Sequence, residues 1–340
     1  MRRFSSIIFF LVVMNWTSTS FAQTDSLVFL DGQTMVGEIK SMNRGNLKVE
    51  TEFSDSDFII EWSEVAQIFS TNIFLISLED GRRFDASLKS KASGSVVEII
   101  GISGTHEVLL DEIVFINPVS KSFWDRLSAS FDVGYNITKS NNLTQFNTRT
   151  YLAYLTKRWE ASGDYNIVYS QQDSIDVTQR MDANLTFKLF LPNDFYLFVS
   201  NDFLSNDEQK LKLRSTSKLG LGNYVIHSNS VYWGIFGGAA YNNESFTETT
   251  DPAKQTAELF LGSEFNMFDT GDFGLKTSVI AYPNLSNKGR VRVDFGLDVS
   301  YDLPLDFYIK MGGTVNYDNQ PVTGASTLDY VIQTGFGWSW

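Results

Sequence analysis

From Leu127 to Thr138 the chain alternates without a break. The odd positions are Leu127, Ala129, Phe131, Val133, Tyr135 and Ile137, and the even ones are Ser128, Ser130, Asp132, Gly134, Asn136 and Thr138. Successive side chains of a strand point to opposite faces, so this segment divides an apolar environment from a wet one. The pattern returns from Val177 to Lys188, where Val177, Met181, Ala183, Leu185 and Phe187 alternate with Thr178, Arg180, Asp182, Asn184, Thr186 and Lys188. It returns again from Arg290 to Tyr301. About twelve such runs follow one another to Trp340, of the length that a tilted strand needs to cross a bilayer, roughly 9–11 residues. A soluble sandwich or lipocalin-like barrel also alternates, but it turns its apolar face inward onto one core. Here the polar face carries Arg and Lys beside Asp and Glu at mid-strand, which a watery lumen tolerates and a protein core does not. The expected fold is therefore all-β, with an antiparallel transmembrane β-barrel of about 12 strands over residues 121–340.

Residues 1–22 read as an export signal. Arg2 and Arg3 supply the positive end, Ile7 to Met14 the apolar centre, and Ser20-Phe21-Ala22 the small-x-small cleavage site. The apolar run is too short to span a bilayer as a helix. The chain has no Cys, so neither a lipoprotein cysteine nor a disulfide is expected.

Residues 23–120 form a separate unit with an internal repeat. One copy reads VFLDGQTMVGEIK, then LKVE, then EVAQI; the other reads ISLEDGRRFDASLK, then VVEII, then EIVFI. The Asp31-Gly32 and Asp80-Gly81 pairs are tight-turn signals between strands. The expectation is a tandem pair of small β-barrels, each resembling the Sm-like or SH3-like strand pattern. That resemblance implies a docking module in the periplasm with an unidentified partner. Within residues 23–120 Asp and Glu outnumber Lys and Arg about two to one, which argues against binding a phosphate backbone, so no nucleic acid partner is expected.

If Arg126 enters from the periplasm, alternate connections fall on opposite sides of the membrane. The periplasmic set is Thr156-Lys157, Leu191 to Asp194, His227 to Ser230, Phe268 to Asp272 and Asp302 to Asp306; the outer connections are longer. Trp124, Trp159, Trp233, Trp338 and Trp340 fall beside the periplasmic set. Tyr135, Tyr169, Tyr241, Tyr317 and Tyr330 fall near the outer one. Rings with one apolar and one hydrogen-bonding end favour a membrane interface, so these read as two aromatic girdles. The last strand, with Tyr330, Ile332, Phe336, Trp338 and Trp340 on one face, resembles the terminal signal read by the barrel-insertion machinery.

Candidate chemistry is sparse. His106 and His227 have no nucleophile and acid arranged around them, Asp55-Ser56-Asp57 lacks the rest of a calcium loop, and no catalytic residue, metal or cofactor is expected. The charged residues of interest are lumenal. Lys212, Arg214 and Lys218 share one inward face, and Arg290 and Arg292 share another. They either pair with Asp202, Asp294, Asp298 and other inward carboxylates as a ladder that fills the barrel, or make a cationic stripe favouring anions. Glu244, Glu248 and Asp251 near an outer loop suggest cation-bridged contact with lipopolysaccharide.

The segments FDVGYNITKSNNLTQFN (Phe131 to Asn147), KRWEASGDY (Lys157 to Tyr165) and NDEQKLKLRSTSKLGLGNYVI (Asn206 to Ile226), with Arg214 and Gly220-Leu221-Gly222 inside the last, resemble the salt-induced outer-membrane proteins. These are a β-barrel family built on an uncharacterised domain. Where that family has a Gly-Asn-Ser turn, this chain has Ser140-Asn141-Asn142. The resemblance implies the outer membrane as location and no established reaction. Two functions follow as expectations: a non-catalytic structural or stress-related envelope barrel with a docking domain, or a narrow diffusion pore for small, anionic solutes.

Overall fold

In a computed structural model, the described residues are 25–91, 94–102, 104–119, 126–139, 142–173, 175–207, 211–246, 254–270, 272–304, 307–320 and 327–338. The expected export signal, Trp124 and Trp340 lie outside them. Two antiparallel sheets account for nearly all of the rest.

The first sheet contains β1 (Asp25–Phe29), β2 (Thr34–Asn43), β3 (Asn46–Glu50), β4 (Phe58–Glu61), β5 (Val65–Leu78), β6 (Arg83–Ser90), β7 (Val96–Gly101), β8 (Gly104–Leu109) and β9 (Ile113–Pro118). The sequence repeat maps onto it. Gly32 and Gly81 hold φ values of 86° and 82° in equivalent turns, and the preceding Asp accepts a hydrogen bond from the N–H two residues on in both. Leu27 of β1 lies opposite Ile68 in the first half of β5, as Ile76 in its second half lies opposite Ile116 of β9. The copies are nevertheless not divided. β5 closes one and opens the next, the end of β2 pairs with β9 at Met42↔Ile116, and the end of β6 pairs with β5 at Ser70↔Leu88. Leu27, Ile39, Met42 and Ile68 therefore share one core with Phe74, Ile76, Leu88, Ile99 and Ile116. A unit of roughly fifty residues buries a small share of its surface and is marginal alone, and exchanging strands pools two half-cores into one.

Asp25 opens this sheet with a side chain only 2% exposed. It accepts hydrogen bonds from the Ile39 N–H at 2.8 Å, from Asn72 Nδ2 at 2.9 Å and from the Ser70 hydroxyl. Burial raises its pKa above the ordinary 3.8, although those three donors oppose the shift. The native state thus holds this proton to a higher pH than the unfolded chain does. The stabilisation linked to it is complete below the unfolded value and is lost as pH rises through the native one. Asp25→Ala should cost about 3 kcal/mol by stranding buried donors, and should flatten that part of the stability–pH curve above pH 4. Urea denaturation of wild type and variant across pH 4–7 reads both effects.

The second sheet runs β10 (Leu127–Thr138), β11 (Leu143–Leu155), β12 (Trp159–Gln172), β13 (Ile175–Phe190), β14 (Phe195–Asn206), β15 (Leu211–His227), β16 (Val231–Phe246), β17 (Lys254–Thr270), β18 (Phe273–Pro283), β19 (Val291–Leu303), β20 (Phe307–Asp318) and β21 (Leu328–Trp338). Each strand pairs with the next in chain order, twelve strands in all. The expectation of an all-β chain with about twelve antiparallel strands after a smaller β unit holds at this level. Among the described residues, no ladder joins β10 to β21.

Burial on this sheet is inverted relative to a water-soluble protein. Ser200, Thr216, Asn242, Glu244, Thr256, Glu258 and Asn266 are buried, while Leu219, Leu221, Tyr241, Leu259 and Leu261 on the opposite face are exposed. Exposed large apolar side chains come from every strand of the sheet, from Phe131 on β10 to Phe336 on β21. The sheet curls around the polar face, because residues of β14, β15, β18 and β19 line one cavity there.

Candidate functional site

The concave face is built from alternate residues, and two rows of Cα partners explain how its rings fit. Tyr196, Gly222, Phe236 and Gly262 lie opposite one another on β14 to β17, so ring and glycine alternate across four strands. The next row reads Phe198, Gly220, Gly238 and Phe260. A Cβ on Gly220 would meet Phe198 at 2.6 Å and Phe260 at 2.8 Å, and one on Gly262 would meet Phe236 at 2.5 Å. A Cβ on Gly222 would strike Tyr196. Each ring folds over the glycine beside it, and the Gly220-Leu221-Gly222 motif is the empty half of this packing.

On one side of the rings lie Lys188, Tyr224, Tyr232 and Glu264, with the Lys188 ammonium 3.3 Å from the Tyr224 hydroxyl. On the other side lies a charged ladder. Lys218 pairs with Asp202 at 2.5 Å, Arg214 with Glu244 at 2.7 Å, Arg292 with Glu258 at 2.7 Å and Arg290 with Asp318 at 2.7 Å. Asn284 donates to Glu258 at 2.9 Å, and Asn184 donates to Asp202. Two cavities adjoin at Asp202, Lys218 and Tyr282. The one among the rings has a volume of about 220 Å³, and the one among the charges about 160 Å³.

The lumenal candidates divide accordingly. Arg214, Lys218, Arg290, Arg292 and Asp202 are in ion pairs, Asp294 lines the smaller cavity with Arg214 and with its neighbour Arg292, and Asp298 lies opposite Lys276. Lys212 stands apart. The register shifts between Leu211 and Leu213, so Leu211 takes the inward position at 1% exposure and Lys212 is left exposed in the bulge. Glu244 turns inward to hold Arg214, while Glu248 and Asp251 lie outside the described residues. Lys188, Glu258 and Glu264 were not singled out in the sequence, although their even numbers already put them on the polar face.

On the outer face, Trp159 stacks between Tyr154 at 5.3 Å and Phe187 at 5.8 Å, and Trp233 donates its indole N–H to Ser263. Trp338 is exposed, as are Tyr135, Tyr169, Tyr241, Tyr317 and Tyr330. His227 approaches Asp194 at 3.1 Å, and His106 packs on Phe84.

The smaller sheet rests against turns at one end of the larger. Arg83 places its guanidinium 3.7 Å from the Phe190 ring centre, and Asn229 Nδ2 donates to the carbonyls of Asp111 and Ile113. Lys157 lies over Phe84, Arg44 over Phe268, and the Gly81 turn abuts Asp194. Burial lowers the Arg83 pKa, while Tyr224, Glu160 and Asp194 pull it upward. All the turns touched belong to, or adjoin, the set expected on the periplasmic side.

A family model described as protein of unknown function, DUF481, matches residues 131–340. The chain belongs to the DUF481 family. The match spans β10 to β21 and leaves the smaller sheet outside it. No curated protein matches this DUF481 chain.

Proposed function

We propose that this DUF481 protein is a non-catalytic outer-membrane β-barrel of a bacterial envelope, of the salt-induced kind, with its smaller sheet as a periplasmic docking domain. The inverted burial of the twelve-stranded sheet carries the reading. Exposed Leu, Phe, Val and Ile from eleven of the twelve strands, with Tyr165 and Tyr169 from β12, suit hydrocarbon, and a polar face bearing ion pairs suits the inside of a curled sheet. In hydrocarbon an open sheet edge is untenable, so the reading requires β10 and β21 to pair. Lipid and lipopolysaccharide would then surround the outer face, the aromatic end of β21 would meet the insertion machinery, and an unidentified periplasmic partner would meet the smaller sheet.

Ring packing beside an ion-paired ladder supports a filled lumen over a conducting one. Anion focusing needs uncompensated cations, and four of the five candidate cations are in ion pairs. Expressed with its first 22 residues, the chain should fractionate with outer membranes and migrate faster before heating than after it in denaturing gels. The purified chain should be silent in planar bilayers. Recovery in the soluble fraction would remove the membrane reading, and steady conductance with an anion preference reversed by Arg214→Glu would replace the filled barrel with a pore.

A further inference from the structure

We propose that the cavity among the rings of the concave face is a binding site for a neutral, hydroxyl-rich ring of the size of one hexose unit. The first observation is its shape. At about 220 Å³ it has the liquid volume of roughly seven waters, which is room for one small ring. The second is its apolar wall. Phe198 and Phe236 lie along the sheet because glycines stand beside them, so the cavity borders aromatic surface held in place by backbone packing. Such surface attracts the C–H face of a saturated ring and needs no net charge to do so.

The third observation is the polar complement, which selects against ions. The charged groups lining the cavity are Lys188, Lys218, Asp202 and Glu264, two of each sign. A carboxylate or phosphate entering would gain the lysines and meet both carboxylates. An ammonium ion would meet the reverse. A hydroxyl group both donates and accepts, so a polyol can use all four. Capacity remains for it. Each ammonium has three donors, of which Lys188 places one on Tyr224 and Lys218 places one on Asp202. Glu264 accepts from Asn266 through Oε1, and Asp202 has spare lone pairs beyond those used by Asn184 and Lys218. The pairs within the wall also hold these groups in position before a ligand arrives, which reduces the ordering cost of binding.

The inference concerns the concave face alone and does not depend on where the sheet resides, so it is tested on the purified full chain. The detergent must carry no sugar headgroup, because a maltoside or glucoside would compete. Saturation-transfer NMR with D-glucose, D-galactose and N-acetyl-D-glucosamine as probes should show transfer to ring C–H protons, with dissociation constants on the order of millimolar. Phe198→Leu keeps apolar volume and removes the aromatic face, and should weaken binding about tenfold. Lys188→Met should weaken it as well. Tyr241→Leu, on the outer face, should leave it unchanged. Each variant is first checked for a wild-type urea-denaturation midpoint, so that loss of the site is not confused with loss of the fold. No transfer to any of the three sugars at 100-fold molar excess over protein, or transfer indifferent to both Phe198→Leu and Lys188→Met, would overturn the site. Benzoate or choline binding more tightly than every sugar, with the same dependence on Phe198, would overturn its neutral chemistry.

Discussion

Gly238→Val is expected to abolish the folded twelve-stranded sheet. Gly238 of β16 lies opposite Gly220 of β15, and a Cβ there would run into the Leu219 carbonyl and come within 2.6 Å of the Gly220 Cα. A clash with a flexible side chain can be relieved by a rotamer change. This one is with backbone, and moving that backbone breaks the ladder between β15 and β16. Overpacking in a core costs about 1–3 kcal/mol when side chains can yield, and the loss here should exceed about 3 kcal/mol. Gly335→Ala is the control. Gly335 lies on the same face of β21, yet a Cβ there would meet nothing within 4 Å. Gel migration before and after heating should show a compact species for wild type and Gly335→Ala and none for Gly238→Val. A compact species in Gly238→Val would mean that β15 and β16 can separate there without loss of the sheet.

The second large effect is expected at Glu258. Its side chain is 1% exposed and accepts from Arg292 at 2.7 Å and from Asn284 at 2.9 Å. Glu258→Ala leaves a half-buried guanidinium over Tyr282 without its closest carboxylate, and should destabilise the fold by about 3 kcal/mol. Replacing both partners should cost much less, because a buried pair gains little over apolar groups of like volume and most of the single-mutant penalty is the stranded charge. Glu258→Met with Arg292→Met is therefore expected to recover most of the loss. Arg180→Ala, which breaks an exposed pair with Asp182, should change stability by less than about 1 kcal/mol. Urea denaturation of the four chains in one detergent decides the matter. A double variant no better than Glu258→Ala would show that the pair contributes through its particular hydrogen bonds and not by charge neutrality.

Much of the architecture is legible from parity. The alternation at Leu127 to Thr138 gives the outward face of β10 residue by residue, and the short connections at Thr156-Lys157 and Leu191 to Asp194 fall where the strands reverse. The cations of the concave face are legible because they occupy even positions. Their partners were only half found. Asp202 is legible as a partner, but which of Glu244, Glu258 and Asp318 meets Arg214, Arg292 or Arg290 depends on register across neighbouring strands. Lys212 misled for a local reason: one extra residue at Leu211 to Leu213 reverses parity, and no Gly or Pro marks it. The Gly220-Leu221-Gly222 motif was visible without its cause, because the rings that need those glycines sit on other strands. In the smaller sheet the repeat was plain and the strand exchange was not, since two copies of one pattern read alike whether they fold side by side or through each other.

That exchange has a consequence for how the smaller sheet comes apart. β5 is the last strand of one copy and the first of the next, and β2 and β6 each lend an end to the other copy. A single cleavage within residues 65–78 would leave neither fragment with a complete sheet. The two copies are therefore expected to melt in one cooperative transition, so that the internal repeat behaves as a single thermodynamic unit.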